Sequence, residues 1–155
     1  MSGVATDVIP PQLQLDSQLC FPLYAASRMI TRLYQDKLGP LGLTYPQYIV
    51  MMVLWESAPC AVKTVSARTL LNTNTLTPLL KRLEQQGLIS RQRDSVDERV
   101  VVLHLTDAGR SLRDECECIP SALLNKVVAE EDDLLQLKQL LGRLLPALKA
   151  GLEED

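Results

Sequence analysis

One cysteine lies where its thiol could take part in chemistry. Cys20 begins a long amphipathic pattern, so it is predicted to lie at the N-terminus of a helix, with Asp16 and Ser17 as candidate caps. Unpaired backbone amides at a helix N-terminus stabilise a thiolate, which is the form that reacts with peroxides and disulfides. The alternative role is a small buried hydrophobic residue, the commonest role of a free cysteine. The spacing by itself favours this alternative.

The other cysteines do not match a usual metal or redox motif. Cys116 and Cys118 are separated by one residue, which is tighter than the spacing of common metal-binding or redox pairs. His104 is the only histidine, and it alternates with valines in a predicted strand, so we expect no zinc site. The sequence contains no phosphate-binding loop, dinucleotide-binding motif or serine-hydrolase motif, so we also expect no cofactor.

A polar helix face and a basic hairpin could together read DNA. In the predicted helix that follows Asn72 and Thr73, leucines form one face, and polar or cationic side chains form the other. Such a face can reach base edges in the major groove, and hairpin arginines can enter a narrow minor groove. The candidate DNA-binding residues are Asn74, Thr75, Thr77, Pro78, Lys81, Arg82, Arg91, Arg93, Asp97 and Arg99.

Acidic neighbours give this segment a second interpretation. Residues 81–99 also include Glu84, Asp94 and Glu98, so the segment could be a solvated helix face followed by a salt-bridged turn. Asp97, by contrast, could hold the guanidinium of Arg99 through a forked ion pair. Single residues favour the salt-bridged turn. The order of helix, turn, amphipathic helix and basic hairpin favours DNA binding.

Two tyrosines could supply phenolic hydrogen bonds to a pocket. Tyr34 and Tyr45 stand out because aromatic residues make up only 4% of the chain. Tyrosines at helix edges are more often ordinary boundary residues, with an apolar ring and a solvated hydroxyl. From the residues alone, the boundary role is the better interpretation.

Helices must position most of these residues. Apolar spacings of three and four predict helices over about residues 19–38, 62–71 and 74–86. Thr44 and Gln47 form a capping-box pattern that opens a nearly all-apolar helix ending near residue 56. The helix over 74–86 follows the preceding one after a short turn, which is helix-turn-helix spacing.

The remaining elements are a hairpin and the C-terminal helices. Residues 88–91 and 100–105 are predicted to form two strands around a polar tip, which we interpret as a wing. Thr106 is expected to cap a helix that runs to about Cys118, and Pro120 to break it before helix resumes to about residue 149. A leucine stripe in that last helix comprises Leu134, Leu137, Leu141, Leu144 and Leu148.

These elements predict a mainly α fold with a small β wing. A winged helix-turn-helix region, about residues 44–106, is expected to lie between N- and C-terminal dimerisation helices at about 17–38 and 107–150, in a single domain of residues 1–155. Apolar faces on the terminal helices exceed what a small monomer readily buries, so we predict a homodimer.

Composition limits the class of protein without naming a function. The 155 residues carry a formal net charge of -3 and are 46% hydrophobic, which fits a folded soluble domain and excludes a mainly disordered chain. The longest apolar run, residues 49–55, is too short for a membrane span, and no signal peptide pattern opens the chain. We therefore expect a cytoplasmic protein with no membrane partner. Net acidity argues weakly against nucleic acid, but it is compatible with a local basic face.

Several segments resemble the MarR family of dimeric winged-helix regulators. The similar segments begin with Leu76-Thr77-Pro78-Leu79-Leu80-Lys81-Arg82-Leu83-Glu84 and continue with Gly87-Leu88-Ile89, Asp97-Glu98-Arg99 and Leu105-Thr106-Asp107-Ala108-Gly109. Two further segments resemble the organic hydroperoxide resistance regulators within that family, and these are more specific. They are Leu19-Cys20-Phe21-Pro22-Leu23-Tyr24 and Leu41-Gly42-Leu43-Thr44-Tyr45-Pro46-Gln47-Tyr48.

This resemblance implies a repressor that binds palindromic operator DNA and senses organic hydroperoxide. Cys20 falls at the position of the cysteine that is oxidised to a sulfenic acid in these regulators. Tyr34 and Tyr45 fall at the positions of the two tyrosines that hydrogen-bond the reactive sulfur from the partner subunit. The resemblance thus reverses the preference that spacing alone gives for Cys20 and for the tyrosines.

The chain departs from the family pattern in two places. The position that carries a resolving cysteine in two-cysteine members corresponds to Asn125 here. The sulfenic acid is therefore capped by a small cellular thiol, or else Cys116 or Cys118 resolves it. Pro22 also replaces a small helix-forming residue, so the helix near Cys20 either includes Pro22 in its first turn or is kinked there.

Two other functions compete with this interpretation. A MarR-type repressor could be released by a reversible phenolic or aromatic ligand, in which case dilution would restore DNA binding and a reductant would not. A cysteine-based thiol peroxidase would turn over with a reductant and would not bind DNA. The helix-turn-helix pattern speaks against the peroxidase, so we do not expect an enzyme.

Overall fold

The computed structural model describes residues 8–127 and 129–153, and most of them are helical. Three short 3-10 helices, Pro11–Leu13, Leu15–Ser17 and Gly39–Leu41, accompany the main elements. The α-helices are α1 (Cys20–Leu38), α2 (Tyr45–Ser57), α3 (Val62–Thr69), α4 (Thr73–Gln85), α5 (Asp107–Cys116), α6 (Ile119–Leu124) and α7 (Glu131–Glu153). The strands are β1 (Cys60–Ala61), β2 (Ile89–Arg93) and β3 (Val101–Leu105). The mainly α fold with a small β wing is confirmed.

Contacts divide the chain after Ile119 into two compact units. The first unit contains α1 to α5 and all three strands. Its core is aliphatic and is built around α2, because nearly every residue of that helix is apolar. Fully buried side chains in this unit are Leu38, Leu43, Val50, Met51, Leu54, Val65, Leu76, Leu83, Ile89 and Leu103.

The predicted capping box begins α2. The Gln47 backbone N–H donates to Thr44 Oγ1 at 3.4 Å, and the Thr44 backbone N–H donates to Gln47 Oε1 at 2.9 Å. These two bonds satisfy amides that the first helical turn leaves without partners. The start of α2 is thus set by residues three apart in the sequence.

The predicted helix-turn-helix is present, with its second helix starting one residue earlier than expected. Leu70 ends α3 in the left-handed region, with φ 57°, and Asn72 caps α4 by accepting from the Thr75 backbone N–H at 2.9 Å. Leu76, Leu80 and Leu83 bury one face of α4. The opposite face of α4 is therefore free to meet a ligand.

The wing is a hairpin within a three-stranded antiparallel sheet of order β1-β3-β2. Strand β1 was not predicted, because its two residues are too few to show alternation; Cys60 pairs with Leu103. At the base of the hairpin, α5 passes close to the backbone of Leu88. A Cβ at Gly109 would lie 2.0 Å from the Leu88 carbonyl oxygen. Glycine is required there because backbone occupies that space.

The C-terminal helices differ from the prediction at Pro120. Helix α5 ends at Cys116, before the proline, and Pro120 is the second residue of α6. Proline is tolerated in a first helical turn because the N–H it lacks would be unpaired there. The expectation that Pro120 breaks a helix running to Cys118 is wrong.

The second unit contains α7, in which the leucine stripe lies. Leu134, Leu141 and Leu144 are half-buried, whereas Leu137 and Leu148 are 46% and 53% exposed. Its long helix begins at Glu131, after an interruption that the sequence did not predict. None of the helices in the described residues is long and apolar enough to cross a membrane.

Candidate nucleic-acid interface and cysteine site

The candidate recognition helix exposes the predicted set of polar side chains. All six α4 candidates are exposed, namely Asn74, Thr75, Thr77, Pro78, Lys81 and Arg82. The Thr77 hydroxyl donates to the Thr73 carbonyl at 2.8 Å, so its oxygen can still accept a hydrogen bond. The exposed stripe thus offers hydroxyl and amide groups for base edges and two cations for phosphates.

Contacts within the hairpin hold two of the three wing arginines. Arg93 donates through Nη1 to the Glu98 carbonyl oxygen at 2.8 Å, which ties β2 to the turn. Asp94 accepts from the backbone N–H groups of Val96 and Asp97 at 2.8 and 3.0 Å. Both bonds lower the pKa of the Asp94 carboxyl, and the bond from Asp97 has the larger effect. The turn is therefore a defined structure.

Arg99 projects from this turn. Its Nε and its backbone N–H both lie 3.1 Å from Asp97 Oδ1, and its side chain is 91% exposed. The predicted ion pair between Asp97 and Arg99 is present, but the forked geometry is wrong, because both donors share one carboxylate oxygen. With only one bond to its guanidinium, Arg99 keeps most of its donors for a nucleic-acid partner.

The third wing arginine, Arg91, is engaged by the recognition helix. Its Nε and Nη2 lie 2.9 and 2.5 Å from Glu84 Oε2, and its backbone N–H donates to Glu84 Oε1 at 3.2 Å. Hydrogen bonds from the Arg91 side chain lower the pKa of the Glu84 carboxyl. Glu84 was predicted only as one of several acidic residues, although its position seven residues after Thr77 places both on one face of α4.

A cleft of about 470 Å³ separates the recognition helix from the wing. Thr73, Thr77 and Leu80 of α4 line one side, and Arg91, Arg99, Val100 and Val101 of the hairpin line another. Lys63, near the start of α3, lines the cleft as well and was not among the predicted residues. Cations and threonine hydroxyls therefore surround an opening with an apolar floor.

Cys20 lies at the N-terminus of α1, as predicted, and it is exposed. The predicted capping by Asp16 or Ser17 is wrong, because Leu19 is the N-cap and no side chain caps the helix. Asp16 and Ser17 lie instead in a separate 3-10 helix, whose turn closes through the Gln18 backbone N–H and the Leu15 carbonyl. Helix α1 includes Pro22 in its first turn.

Tyr34 and Tyr45 are brought together by the turn between α1 and α2. Their ring centroids are 4.8 Å apart, and both side chains are half-buried. Burial, and secondly the neighbouring Tyr45, raises the pKa of the Tyr34 phenol. The Tyr34 hydroxyl therefore stays protonated and can donate a hydrogen bond at neutral pH.

Two further aromatic residues extend this pair along α2. Tyr48 is buried, its ring lies 5.7 Å from Tyr34, and burial together with Tyr34, Cys116 and Tyr45 raises its pKa to about 12. Trp55 lies 6.1 Å from Tyr48 and donates through Nε1 to the Gly109 carbonyl oxygen at 2.8 Å. Neither residue was predicted from the sequence, although their seven-residue spacing places them on one helix face.

Cys20 does not lie beside the tyrosine pair of its own chain. Cys20 and Tyr34 belong to the same continuous helix and are fourteen residues apart. At 1.5 Å per residue they are separated by about 21 Å along the helix axis. A thiol contact with Tyr34 therefore requires a second copy of the chain.

The other cysteines occupy different environments. Cys116 is 2% exposed, and burial, followed by Glu115 and Cys118, raises its pKa to about 11. Cys118 is exposed, and Cys60 is half-buried in β1. Within residues 8–127 and 129–153, no cluster of three histidine, cysteine or acidic side chains is arranged to hold a metal ion.

Comparison with known proteins agrees with this geometry. The family model described as transcriptional regulator SarA/Rot matches residues 24–116. The organic hydroperoxide resistance transcriptional regulator of Bacillus subtilis (strain 168) is 44% identical over 136 residues, which cover 88% of this chain and 92% of that protein.

Solved structures agree as well. Reduced AbfR bound to DNA is 35% identical with a TM-score of 0.75, covering 90% of this chain and 98% of that chain. The disulfide form of AbfR is 37% identical with a TM-score of 0.62, covering 86% and 94% of the two chains. The chain belongs to the MarR/SarA-type family of winged-helix transcriptional regulators, and within it resembles the organic hydroperoxide resistance regulators.

Proposed function

We propose that this chain is a homodimeric repressor that binds operator DNA when reduced and releases it when organic hydroperoxide oxidises Cys20. The observation that carries the proposal is the separation between an exposed thiol at the start of α1 and a half-buried tyrosine pair at the turn between α1 and α2. Tyr34 lies about 21 Å from Cys20 along α1, and Tyr45 packs against Tyr34. An antiparallel arrangement of two α1 helices would complete two such sites, one at each end.

The exposed surface of α1 supports this arrangement. Phe21, Tyr24, Met29 and Ile30 are between 41% and 67% exposed on the single chain. Apolar side chains exposed on a helix favour an interface, because burying them releases water from apolar surface. The helices at about 17–38 and 107–150 remain the proposed dimerisation helices of a single MarR-type domain, with residues 44–106 as its DNA-binding region.

The proposed redox step balances with the hydroperoxide as oxidant. The Cys20 thiolate attacks the terminal peroxide oxygen, the O–O bond breaks, and the leaving alkoxide takes a proton to become an alcohol. Cys20 is then a sulfenic acid. Its hydroxyl adds bulk and polarity to a packed interface and changes the hydrogen bonds of the tyrosines, which shifts the spacing of the two recognition helices.

A small cellular thiol is the proposed partner of the sulfenic acid. Its sulfur attacks the Cys20 sulfur, water leaves, and a mixed disulfide forms. Cys116 is a poor resolving residue because its thiol is buried and its pKa is raised to about 11, so it stays protonated at neutral pH. Cys118 is exposed and is the remaining candidate within the chain.

The proposed DNA contacts follow from exposure and charge. The α4 stripe meets base edges and nearby phosphates, and Arg99 enters the minor groove. The repressor is proposed to act in the cytoplasm, where bacterial chromosomal DNA lies, and to consume one hydroperoxide per Cys20 without catalytic turnover. The relatives reported above are transcriptional regulators, which accords with this role.

Release of DNA by hydroperoxide tests the function directly. The probe is a fluorescent duplex that the reduced protein selects from a random-sequence library, and binding is followed by anisotropy. One equivalent of cumene hydroperoxide plus a small thiol should release the wild-type protein, and dithiothreitol should restore binding. Cys20→Ser should bind and stay bound, whereas the matched control Cys60→Ser should behave as wild type. Release of Cys20→Ser by hydroperoxide would place the sensor elsewhere, and recovery by dilution alone would indicate a reversible ligand.

Intact mass measurement identifies the resolving thiol. With a small thiol present, Cys20 should gain the mass of that thiol, and the double variant Cys116→Ser/Cys118→Ser should release DNA as wild type does. An intersubunit disulfide on non-reducing gels, with release lost in the double variant, would assign resolution to the chain itself.

A further inference from the structure

A carboxylate lies on the DNA-facing stripe of the recognition helix. Glu84 is three residues after Lys81 and seven after Thr77, so the three side chains share one face of α4. A free carboxylate on this face would repel DNA phosphates. In the structure Arg91 of the wing neutralises it through two guanidinium contacts and one backbone hydrogen bond.

Side-chain hydrogen bonds join the wing to the recognition helix at Arg91. Alternate residues of β2 share a face, so Ile89, Arg91 and Arg93 point the same way. Ile89 is 2% exposed in the core, Arg91 meets Glu84 of α4, and the Arg93 side chain donates to the Glu98 carbonyl of the hairpin turn. Besides the pairing of β3 with β1, the Glu84 contact is therefore a side-chain tie between the hairpin and α4.

We propose that Glu84 is a positioning residue for DNA recognition, which fixes the wing against the recognition helix by holding Arg91. The proposal rests on the DNA-binding function proposed above. Helix and wing enter neighbouring grooves of one duplex, so the distance between Thr77 and Arg99 across the cleft must match the groove spacing. Arg91 then acts within the protein, and Arg99 remains available to DNA.

The positioning role and simple electrostatics predict opposite changes in affinity for the preferred duplex when Glu84 is removed. Removing a negative charge near DNA should strengthen binding to every duplex if charge alone matters, and it would also free Arg91 for a phosphate. If Glu84 holds the wing, removing it should weaken binding to the preferred duplex, because Arg99 no longer meets its groove at a fixed distance. Binding to a scrambled duplex should change little, since it depends mainly on phosphate contacts.

The experiment compares Glu84→Ala with Glu98→Ala in the reduced, full-length protein. Glu98 is an exposed wing carboxylate, so both variants remove one negative charge near the proposed interface. Affinity is measured for the selected duplex and for its scrambled counterpart, after the active fraction has been determined by stoichiometric titration. Glu84→Ala should lose about tenfold in the ratio of the two affinities. Glu98→Ala should keep that ratio.

A charge exchange provides the rescue. Glu84→Arg with Arg91→Glu keeps the net charge and allows an ion pair of reversed polarity, so it should recover part of the ratio that Glu84→Arg alone loses. The positioning role would be overturned if Glu84→Ala kept or increased the ratio of the two affinities, or if the charge exchange recovered none of it. The proposed function would still stand in that case, provided that the wild type binds the selected duplex. If the reduced wild type prefers no duplex, the proposed function itself fails, and the positioning role fails with it.

Discussion

The phenol group of Tyr34 is expected to have the most direct effect on the rate at which Cys20 is oxidised. Burial raises its pKa, so it remains a hydrogen-bond donor to sulfur across the neutral pH range. Tyr34→Phe should slow oxidation of Cys20 about tenfold, as expected for loss of a hydrogen bond to a charged group. Stopped-flow mixing with cumene hydroperoxide, followed by sulfenic-acid trapping, measures the rate.

Tyr24→Phe is the matched control for this prediction. Tyr24 lies on the same helix, is 61% exposed and has Arg28 over its ring at 5.4 Å, but it is not part of the tyrosine pair. Its variant should oxidise at the wild-type rate. Equal rates in Tyr34→Phe and Tyr24→Phe would return Tyr34 to the role of a boundary residue.

Arg99 is expected to contribute strongly to DNA affinity, unlike an arginine that lies outside the proposed interface. Its exposed guanidinium is aimed by a single bond to Asp97. Arg99→Ala should weaken binding to the selected duplex by at least tenfold, because a minor-groove arginine reads both charge and groove width. Arg113→Ala removes the same charge from the exposed side of α5 and should have little effect. Anisotropy titrations that rank the two variants equally would remove Arg99 from the interface.

At the scale of elements, the buried Cys116 at the end of α5 should make the folded protein less stable at alkaline pH. The folded protein keeps this thiol neutral, with its pKa raised from 9.0 to about 11, whereas the unfolded chain ionises near pH 9. Stability from Cys116 is therefore complete below pH 9 and is lost as pH rises towards 11. The expected loss is about 2 kcal/mol in the free energy of unfolding.

Urea denaturation under reducing conditions checks this prediction at pH 8 and at pH 10.5. Both measurements need the same protein concentration, because a dimer gains stability with concentration. Cys116→Ala should be less stable than wild type at pH 8 but should lose less on going to pH 10.5. Identical pH dependence in the two proteins would show that Cys116 ionises alike when folded and unfolded.

For the whole molecule, dimerisation decides whether a sensing site exists. Ile30 is 46% exposed on α1 and is one of the apolar side chains that a second copy is proposed to cover. Ile30→Asp should convert the dimer to a monomer and abolish specific DNA binding, because burying an unpaired carboxylate costs several kcal/mol. Sedimentation velocity measures the oligomeric state. Leu70→Asp, a 55% exposed residue after α3, is the matched control and should stay dimeric.

Local sequence determined most element boundaries. The Thr44 and Gln47 capping box, the Asn72 cap and the Thr106 cap each act between residues three apart, so the sequence contains the whole interaction. The buried leucines of α4 follow from its periodicity in the same way. Local patterns failed where they allowed two outcomes: Asp16 and Ser17 formed their own turn, and Pro120 joined the first turn of α6.

Tertiary structure decided which separated residues meet. Glu84 could have faced solvent, but the register of β2 brings Arg91 to it, and a shift of one residue would have turned Arg91 to the other face. Tyr34 and Tyr45 meet because two helices pack across a turn, while Cys20 and Tyr34 are kept apart by one rigid helix. Hydrophobic periodicity specifies which face of an element is buried, but the partner across that face depends on packing and register, which no local pattern contains.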